Sequence, residues 1–230
     1  MVTPVLDQDS SRTFDFVIVG AGASGCVLAN RLSADARARV LLIEAGATDA
    51  NPLIDAPGKW TSLLETSVDW NYTTEPVPGL GGRRLKWPAG KTYGGSTAIS
   101  AMAYVRGHRA CYDAWAAAAG PAWSFRDVLP VFKRLEDNSR GASEYAGAGG
   151  PLAVSDTTDP HAGHLAFLDA ARELGFDASP TWDFNGARQE HGAGFYQKTI
   201  RGGRRESMLC FARSAMPMRS RDCSPACVRR

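Results

Sequence analysis

Residues 14–46, FDFVIVGAGASGCVLANRLSADARARVLLIEAG, limit what this chain can fold into more than any other stretch. Phe16, Val17, Ile18 and Val19 form a short apolar run rich in β-branched residues, the composition of a parallel strand buried on both faces. Gly20-Ala21-Gly22-Ala23-Ser24-Gly25 follows at once and fits G-x-G-x-x-G, with a helical stretch behind it. In that pattern Gly20 permits a tight turn, Gly22 lets a pyrophosphate approach the backbone, and Gly25 lets the helix pack close to the sheet. The helix begun by Ala23 and Ser24 then offers N–H groups and a dipole to a diphosphate. Val40-Leu41-Leu42-Ile43 reads as a second buried strand. It ends in Glu44, close to the spacing of about twenty residues at which such a unit places its ribose-binding acid. A carboxylate there accepts hydrogen bonds from ribose hydroxyls and repels a 2′-phosphate, so NADP is disfavoured. The glycine motif alone recurs by chance, and the plainer reading is a glycine-rich turn beside a surface glutamate. Strand, loop, helix and acid in succession favour a dinucleotide site. FAD and NAD share the ADP half, so this unit does not choose between them.

The rest of the composition is that of an ordinary globular chain of one or two domains, with 44% hydrophobic and 22% charged residues in 230. The opening residues lack the cationic start and apolar run of a signal peptide, and no apolar stretch reaches transmembrane length. A cytoplasmic location is the expectation. Five cysteines without a regular framework suit reduced thiols, with Cys26 placed in the core. The net charge of +2 comes from the end of the chain, where residues 206–230 carry five arginines against Glu206 and Asp222 and leave the remainder at −1. No basic face interleaved with aromatics remains to suggest nucleic acid.

Between Ala47 and Lys86, prolines and glycines that include Pro52, Pro57, Pro76, Pro78, Gly79, Gly81 and Gly82 are spaced as in an extended loop. Trp60, Trp70 and Tyr72 lie in it and need a core or a ligand to cover them; core is the expected role of each.

A second glycine-rich stretch runs from Trp87 to Gly107, WPAGKTYGGSTAISAMAYVRG. Gly90, Gly94 and Gly95 permit close backbone approach, and the hydroxyls of Ser96 and Thr97 can donate to phosphate or ring oxygens. The bland alternative is a glycine loop at a strand edge. This stretch resembles the first signature of the glucose-methanol-choline (GMC) oxidoreductases, flavoproteins that oxidise alcohols, and in particular their choline-dehydrogenase-like branch. The resemblance covers about Phe14 to Arg205. It implies that the stretch lies along a flavin and its pyrophosphate, with contacts at Thr92, Gly94, Gly95 and Ser96 and across Ser100, Ala101, Met102 and Ala103. Tyr93 replaces a usual aliphatic residue and Ser100 a usual Asn or His. Ile99 stands where some relatives link FAD through a histidine; an aliphatic side chain cannot form that bond, so the resemblance implies non-covalent FAD.

Further on, His108 to Ala119 reads as a helix stopped by Gly120, and Ser124-Phe125-Arg126-Asp127 as a capping box opening a second helix that Pro130 should kink. Residues 139–150 form a small-residue linker and Pro151 to Ser155 a short strand. Asp159-Pro160 reads as the cap of a helix stopped by Gly175, and Asp183 to Gly186 as a turn before a strand over 192–200. His161 and His164, three residues apart, lack further ligands, so no metal is assigned. Residues 206–230 show no sustained apolar period, and Cys210, Cys223 and Cys227 lack a fourth partner; the tail reads as aberrant or disordered.

The expected fold is α/β: a Rossmann-type FAD-binding domain at 14–150, with 151–205 beginning an α+β substrate-binding region. The resemblance implies an oxidoreductase that moves hydride from the CH–OH group of a small-molecule alcohol to flavin, with an unidentified electron acceptor. In the family the histidine base comes from a C-terminal part. None of His108, His161, His164 and His191 sits in the matching motif, so no catalytic residue is named and the chain is expected to be an N-terminal fragment. Two alternatives stay open: an inactive FAD-binding fragment and an NAD-dependent dehydrogenase.

Overall fold

A computed structural model describes residues 13–47, 51–208 and 226–228. They gather into two compact units, one of 13–101 with 204–208 and 226–228, the other of 102–203.

In the first unit the β-branched run forms β1 (Phe16–Val19), which pairs in parallel with β2 (Val40–Ile43), Phe16 opposite Val40 and Val19 opposite Ile43. Helix α1 (Ala23–Leu32) makes the crossover. Its first turn carries no acid and its last turn carries Arg31, which suits the helix dipole at the C-terminal end. Ile18, Cys26, Ala29, Val40 and Leu42 are buried where α1 covers the sheet. Two-sided burial of β1 does not occur: Phe16, Val17 and Val19 are exposed, Val19 to 82%. The reason is topological, since β1 lies at the edge of a three-stranded sheet ordered β1, β2, then Ala226–Val228, the last antiparallel to β2. Helix α1 packs on one face of that sheet, and Val17 and Val19 on the other face stay open. Of the tail expected to be aberrant or disordered, 209–225 and 229–230 lie outside the described residues, Cys210 and Cys223 among them.

The proline-rich stretch after β2 is more ordered than its pattern suggests. It contains a one-turn helix α2 (Pro52–Asp55), capped by Asn51 Oδ1 accepting from Leu53 N–H at 3.0 Å, and a 3-10 segment at Pro57–Leu63. Two short strands, β3 (Tyr72–Thr73) and β4 (Lys86–Trp87), then pair antiparallel. Ile54, Leu63 and Val68 from this stretch pack with Ala98 and Ile99 into an apolar cluster. Asp69 organises the bend before β3. Its buried carboxylate accepts N–H groups from Glu65 at 2.9 Å, Asn71 at 3.1 Å and Ala89 at 3.0 Å. Glu65 and Asn71 both hold left-handed backbone, φ 58° and 56°, which the shared carboxylate stabilises.

The second unit contains α3 (Arg109–Ala119) and α4 (Phe125–Leu135), with β5 (Glu136–Asn138) parallel to β6 (Leu152–Val154), then α5 (Ala162–Glu173) and the short parallel pair β7 (Asp177–Ala178) and β8 (Gly192–Ala193). Helix α3 ends at Gly120 as the sequence pattern requires, with φ 111°. Ser124 caps α4 by accepting the Asp127 N–H, and the helix runs without a break through Pro130 to Leu135. Helix α5 starts later than the Asp159-Pro160 pair suggests, because His161 is the cap, its Nδ1 accepting from Gly163 N–H at 3.0 Å. The strand expected over 192–200 is reduced to Gly192–Ala193 and Ile200–Arg201. At the centre, buried Arg106 and Glu136 pair directly, and Glu136 also accepts from Asn138 Nδ2 at 2.6 Å and Gly147 N–H at 3.2 Å. Such a pair is tolerated in the interior because its remaining groups are satisfied. Among the described residues no helix is long and apolar enough to cross a membrane.

Asp69 yields a pH prediction. Burial alone raises its pKa, but the N–H groups of Glu65, Ala89 and Asn71 and the charge of Lys86 outweigh that, and the net shift is downward. A carboxylate whose folded pKa is depressed adds stability above its unfolded value and loses it as the pH falls through the folded one. Thermal melts of the parent chain should therefore weaken below about pH 4, near the unperturbed Asp value. Asp69→Asn should be less stable at neutral pH and show a flatter acid limb; parallel limbs for both proteins would show that Asp69 contributes nothing there.

Candidate functional site

The ends of β1 and β2, the glycine loop and the second glycine stretch enclose a cleft of about 750 Å³. Its walls include Gly20, Gly22, Ala23, Ser24, Gly25, Glu44, Gly95 and Ser96, eight of the residues singled out from the sequence.

Each motif glycine has a distinct geometric reason. Gly20 sits at φ 95°, outside the range comfortable for side chains with a Cβ. A Cβ on Gly25 would collide with the Gly20 carbonyl and reach 3.4 Å from Ile18 Cγ2, so glycine is what lets α1 lie against the loop. A Cβ on Gly22 would meet no protein atom within 4 Å. The space before Gly22 is therefore open, and α1 starts there without a side-chain cap. Uncapped first-turn N–H groups facing an open cleft suit a diphosphate, which they can receive without losing an existing partner.

Glu44 is buried, at 8% exposure, at the end of β2. Its Oε2 accepts from Ala21 N–H at 2.7 Å and its Oε1 from Gly46 N–H at 2.9 Å. Each oxygen keeps a second lone pair, so the carboxylate can still accept from a hydroxyl. This internal bracing role is not legible from spacing alone. Cys26 lies behind the loop with its Sγ–H directed to the Ala21 carbonyl at 3.2 Å. Burial pushes this thiol up to about 11, the Gly94 amide opposing and the Glu44 charge adding to the shift. It stays protonated and unreactive at neutral pH.

The second glycine stretch packs directly on the first. Gly94 donates its N–H to the Ala21 carbonyl at 2.8 Å, and a Cβ on Gly95 would stand 2.8 Å from Gly22 Cα. Ser96 Oγ accepts from Gly90 N–H at 3.1 Å and keeps its own proton to donate. Thr97 lines the cleft, but its hydroxyl donates to Gly94 O at 2.6 Å and accepts from Met208 N–H at 3.0 Å, so it has no proton left for a phosphate. Thr92 is fully buried and donates to Ala47 O at 3.0 Å, away from the cleft walls. Ser100 and Ala101 follow beyond the cleft, Ser100 exposed. Met102 and Ala103 belong to the second unit, where Met102 is buried at φ 61° and Ala103 bridges Lys198.

Sequence reasoning missed Arg205. Its guanidinium is buried at 6% exposure, donates from Nε to the Ile54 carbonyl at 2.7 Å and from Nη1 to the Ser100 carbonyl, and has no acidic partner among the described residues. Burial lowers its pKa from the ordinary value. An arginine in a run of charged residues gives no signal of burial.

Comparison with known proteins decides the family. The family model described as GMC oxidoreductase matches residues 14–222. The chain belongs to the GMC oxidoreductase family. Among GMC relatives, an alcohol dehydrogenase [acceptor] of Pseudomonas putida is 48% identical over 197 residues, 84% of this chain and 35% of that protein. An oxygen-dependent choline dehydrogenase of Brucella anthropi is 43% identical over 194 residues, again 84% of this chain and 35% of the relative. The chain thus spans about a third of the length of the curated relatives it matches. Among solved structures, pyridoxine 4-oxidase from Mesorbium loti superposes with TM-score 0.80 at 37% identity, covering 91% of this chain and 41% of the other. A formate oxidase gives TM-score 0.75 at 28% identity over 86% and 36%.

The glycines make a paired prediction. Gly25→Ala forces a Cβ into backbone and should cost about 1–3 kcal/mol, as overpacking does. Gly22→Ala, at φ −73° and facing open space, should melt with the parent protein. Denaturant titrations of both variants without added ligand check this, and equal losses would contradict the geometry.

Proposed function

We propose that this chain holds FAD without a covalent bond and forms the cofactor-binding part of an oxidoreductase acting on the CH–OH group of small alcohols. The observation that carries the reading is the joined cleft, in which an open, uncapped α1 N-terminus, a fixed Glu44 and the second glycine stretch converge. Gly22 to Gly25 would take the diphosphate, Glu44 the adenosine ribose, and Ser96 a further phosphate or ring oxygen. The remaining residues of the second stretch within the first unit, Thr92, Gly94, Ser100 and Ala101, would shape the flavin end through their backbone. When bound, FAD supplies the hydride acceptor. The relatives named alcohol and choline dehydrogenases support an alcohol substrate. The electron acceptor stays unassigned.

Two features support a non-covalent site. Ile99 packs into the apolar cluster with Ile54, Leu63, Val68 and Ala98, and it offers no nucleophile. Cys26 is held as a neutral thiol. Acid precipitation of the flavin-loaded chain should release the yellow colour into the supernatant; colour retained on the pellet would overturn the non-covalent assignment.

Glu44 should matter twice, to the fold and to the ligand, because both of its oxygens accept backbone N–H groups. Glu44→Gln keeps one acceptor oxygen, turns a donor towards the other N–H and removes the charge, so its melting temperature is measured beside its FAD affinity. Loss of charge-assisted bonds worth about 1.5–3 kcal/mol corresponds to roughly a ten- to hundredfold fall in FAD affinity. Titration calorimetry showing unchanged affinity would remove Glu44 from the ligand site.

Among the described residues Glu44 is the one acid or base on the cleft wall. A positioned base contributes about a hundred- to ten-thousandfold in rate. Residues 1–230, supplied with FAD and an artificial electron acceptor, are therefore expected to bind cofactor and not oxidise aliphatic, aromatic or choline-like alcohols. Turnover abolished by replacing one histidine would place the base inside this chain instead.

A further inference from the structure

A buried guanidinium ordinarily meets a carboxylate, and among the described residues Arg205 does not. Its neighbour Arg204 pairs at the surface with Asp55 of α2. Arg205 turns inward, where Nε donates to the Ile54 carbonyl at 2.7 Å and Nη1 to the Ser100 carbonyl. Its Nη2 is buried with no partner among the described residues. Two carbonyls need donors there, but a neutral amide side chain could supply them without an uncompensated buried charge. The charge itself therefore calls for a reason.

The Ser100 carbonyl is one edge of a planar trans peptide whose other edge is the Ala101 N–H. Holding the carbonyl thus fixes the direction of that N–H, which points away from Arg205. Ile99, on the other side of Ser100, is anchored in the apolar cluster with Ile54, so the peptide has little freedom to turn. Ala101 is half-buried, and its N–H has no partner among the described residues. The peptide follows the 3-10 turn Gly95–Ala98, whose Gly95, Ser96 and Thr97 line the cleft. A ligand that leaves its diphosphate at α1 and continues along the second glycine stretch next meets this donor.

We propose that Arg205 is a positioning residue for the flavin, one that presents the Ala101 N–H to the ring and, with its buried positive charge behind that peptide, favours the reduced ring over the oxidised one. This rests on the reading that the second glycine stretch lies along FAD. Accepting a hydride adds one negative charge to the ring. In the proposed reaction the hydride leaves the alcohol carbon, which becomes a carbonyl as its hydroxyl gives up a proton to a base. A fixed donor and a fixed cation act more strongly on the charged form than on the neutral one, so their effect is read in the flavin potential.

The test uses the full 230-residue chain loaded with FAD, and reads the midpoint potential of the bound flavin by equilibration with a redox dye. The parent is compared with Arg205→Lys, Arg205→Gln and Arg205→Met, and with Arg204→Met, which removes the Asp55 pair and leaves the Ser100 bond in place. Loss of one aimed hydrogen bond in Arg205→Met should cut the preference for reduced flavin roughly two- to tenfold, a fall of about 10–30 mV for a two-electron couple. Arg205→Lys keeps the charge and should fall least, Arg205→Gln should lie between, and Arg204→Met should match the parent. A role confined to bracing the fold lowers the melting temperature and leaves the potential where it was. If Arg205→Met fails to fold, Arg205→Gln against Arg205→Lys carries the test. Equal potentials in the parent and every folded Arg205 variant overturn the proposal while leaving the FAD reading intact. A parent chain that binds no FAD brings down both.

Discussion

The peptide groups of Ala21 are the point on which the cleft between the two glycine stretches depends. The N–H is fixed by Glu44 Oε2, and the carbonyl receives both the Gly94 N–H and the Cys26 thiol. One buried residue thus ties the end of β1 to the end of β2, to α1 and to the second glycine stretch. Buried backbone groups must be paired, and here the pairing also sets the loop's shape. Glu44 is itself buried and accepts from the Ala21 and Gly46 N–H groups, so loop and acid hold each other in position.

This arrangement explains why a glycine motif that is weak by itself becomes informative when a second glycine stretch follows. Gly95 approaches Gly22 more closely than any residue with a Cβ could, and Gly94 supplies the bond to Ala21. The two stretches form one surface. A glycine loop at a strand edge would not need both contacts.

Much of the framework was legible in the sequence because it rests on local rules. β1, α1, β2 and Glu44 follow from an apolar run, three glycines and a spacing, and α3 and α4 from Gly120 and Ser124. What was not legible depends on neighbours distant in the chain. The outward faces of Val17 and Val19 reflect where β1 lies in the sheet, which composition does not encode. Thr97 looks like a phosphate donor as a residue type, yet its hydroxyl is spent on the Gly94 carbonyl. Glycine-rich chain has no period from which to read which side faces a ligand. Asp69, Trp70 and Arg205 were missed or misjudged for a related reason: each acts in an irregular segment whose partners are set by tertiary folding.

The chemistry of the cleft wall is that of a holder. Its donors are peptide N–H groups and the Ser24 and Ser96 hydroxyls, its one charge among the described residues is a carboxylate braced by two amides, and the nearest thiol stays protonated. Among the described residues no lysine or arginine lines it, so an anionic ligand there would be balanced by oriented dipoles at the start of α1 instead of by mobile cations. Fixed dipoles need little reorganisation when a diphosphate enters, whereas a flexible lysine surrenders side-chain freedom. The same wall carries the Glu44 carboxylate where the second strand ends, so the proposed diphosphate is better placed at the start of α1 than beside that acid, whose remaining lone pairs suit hydroxyl donors.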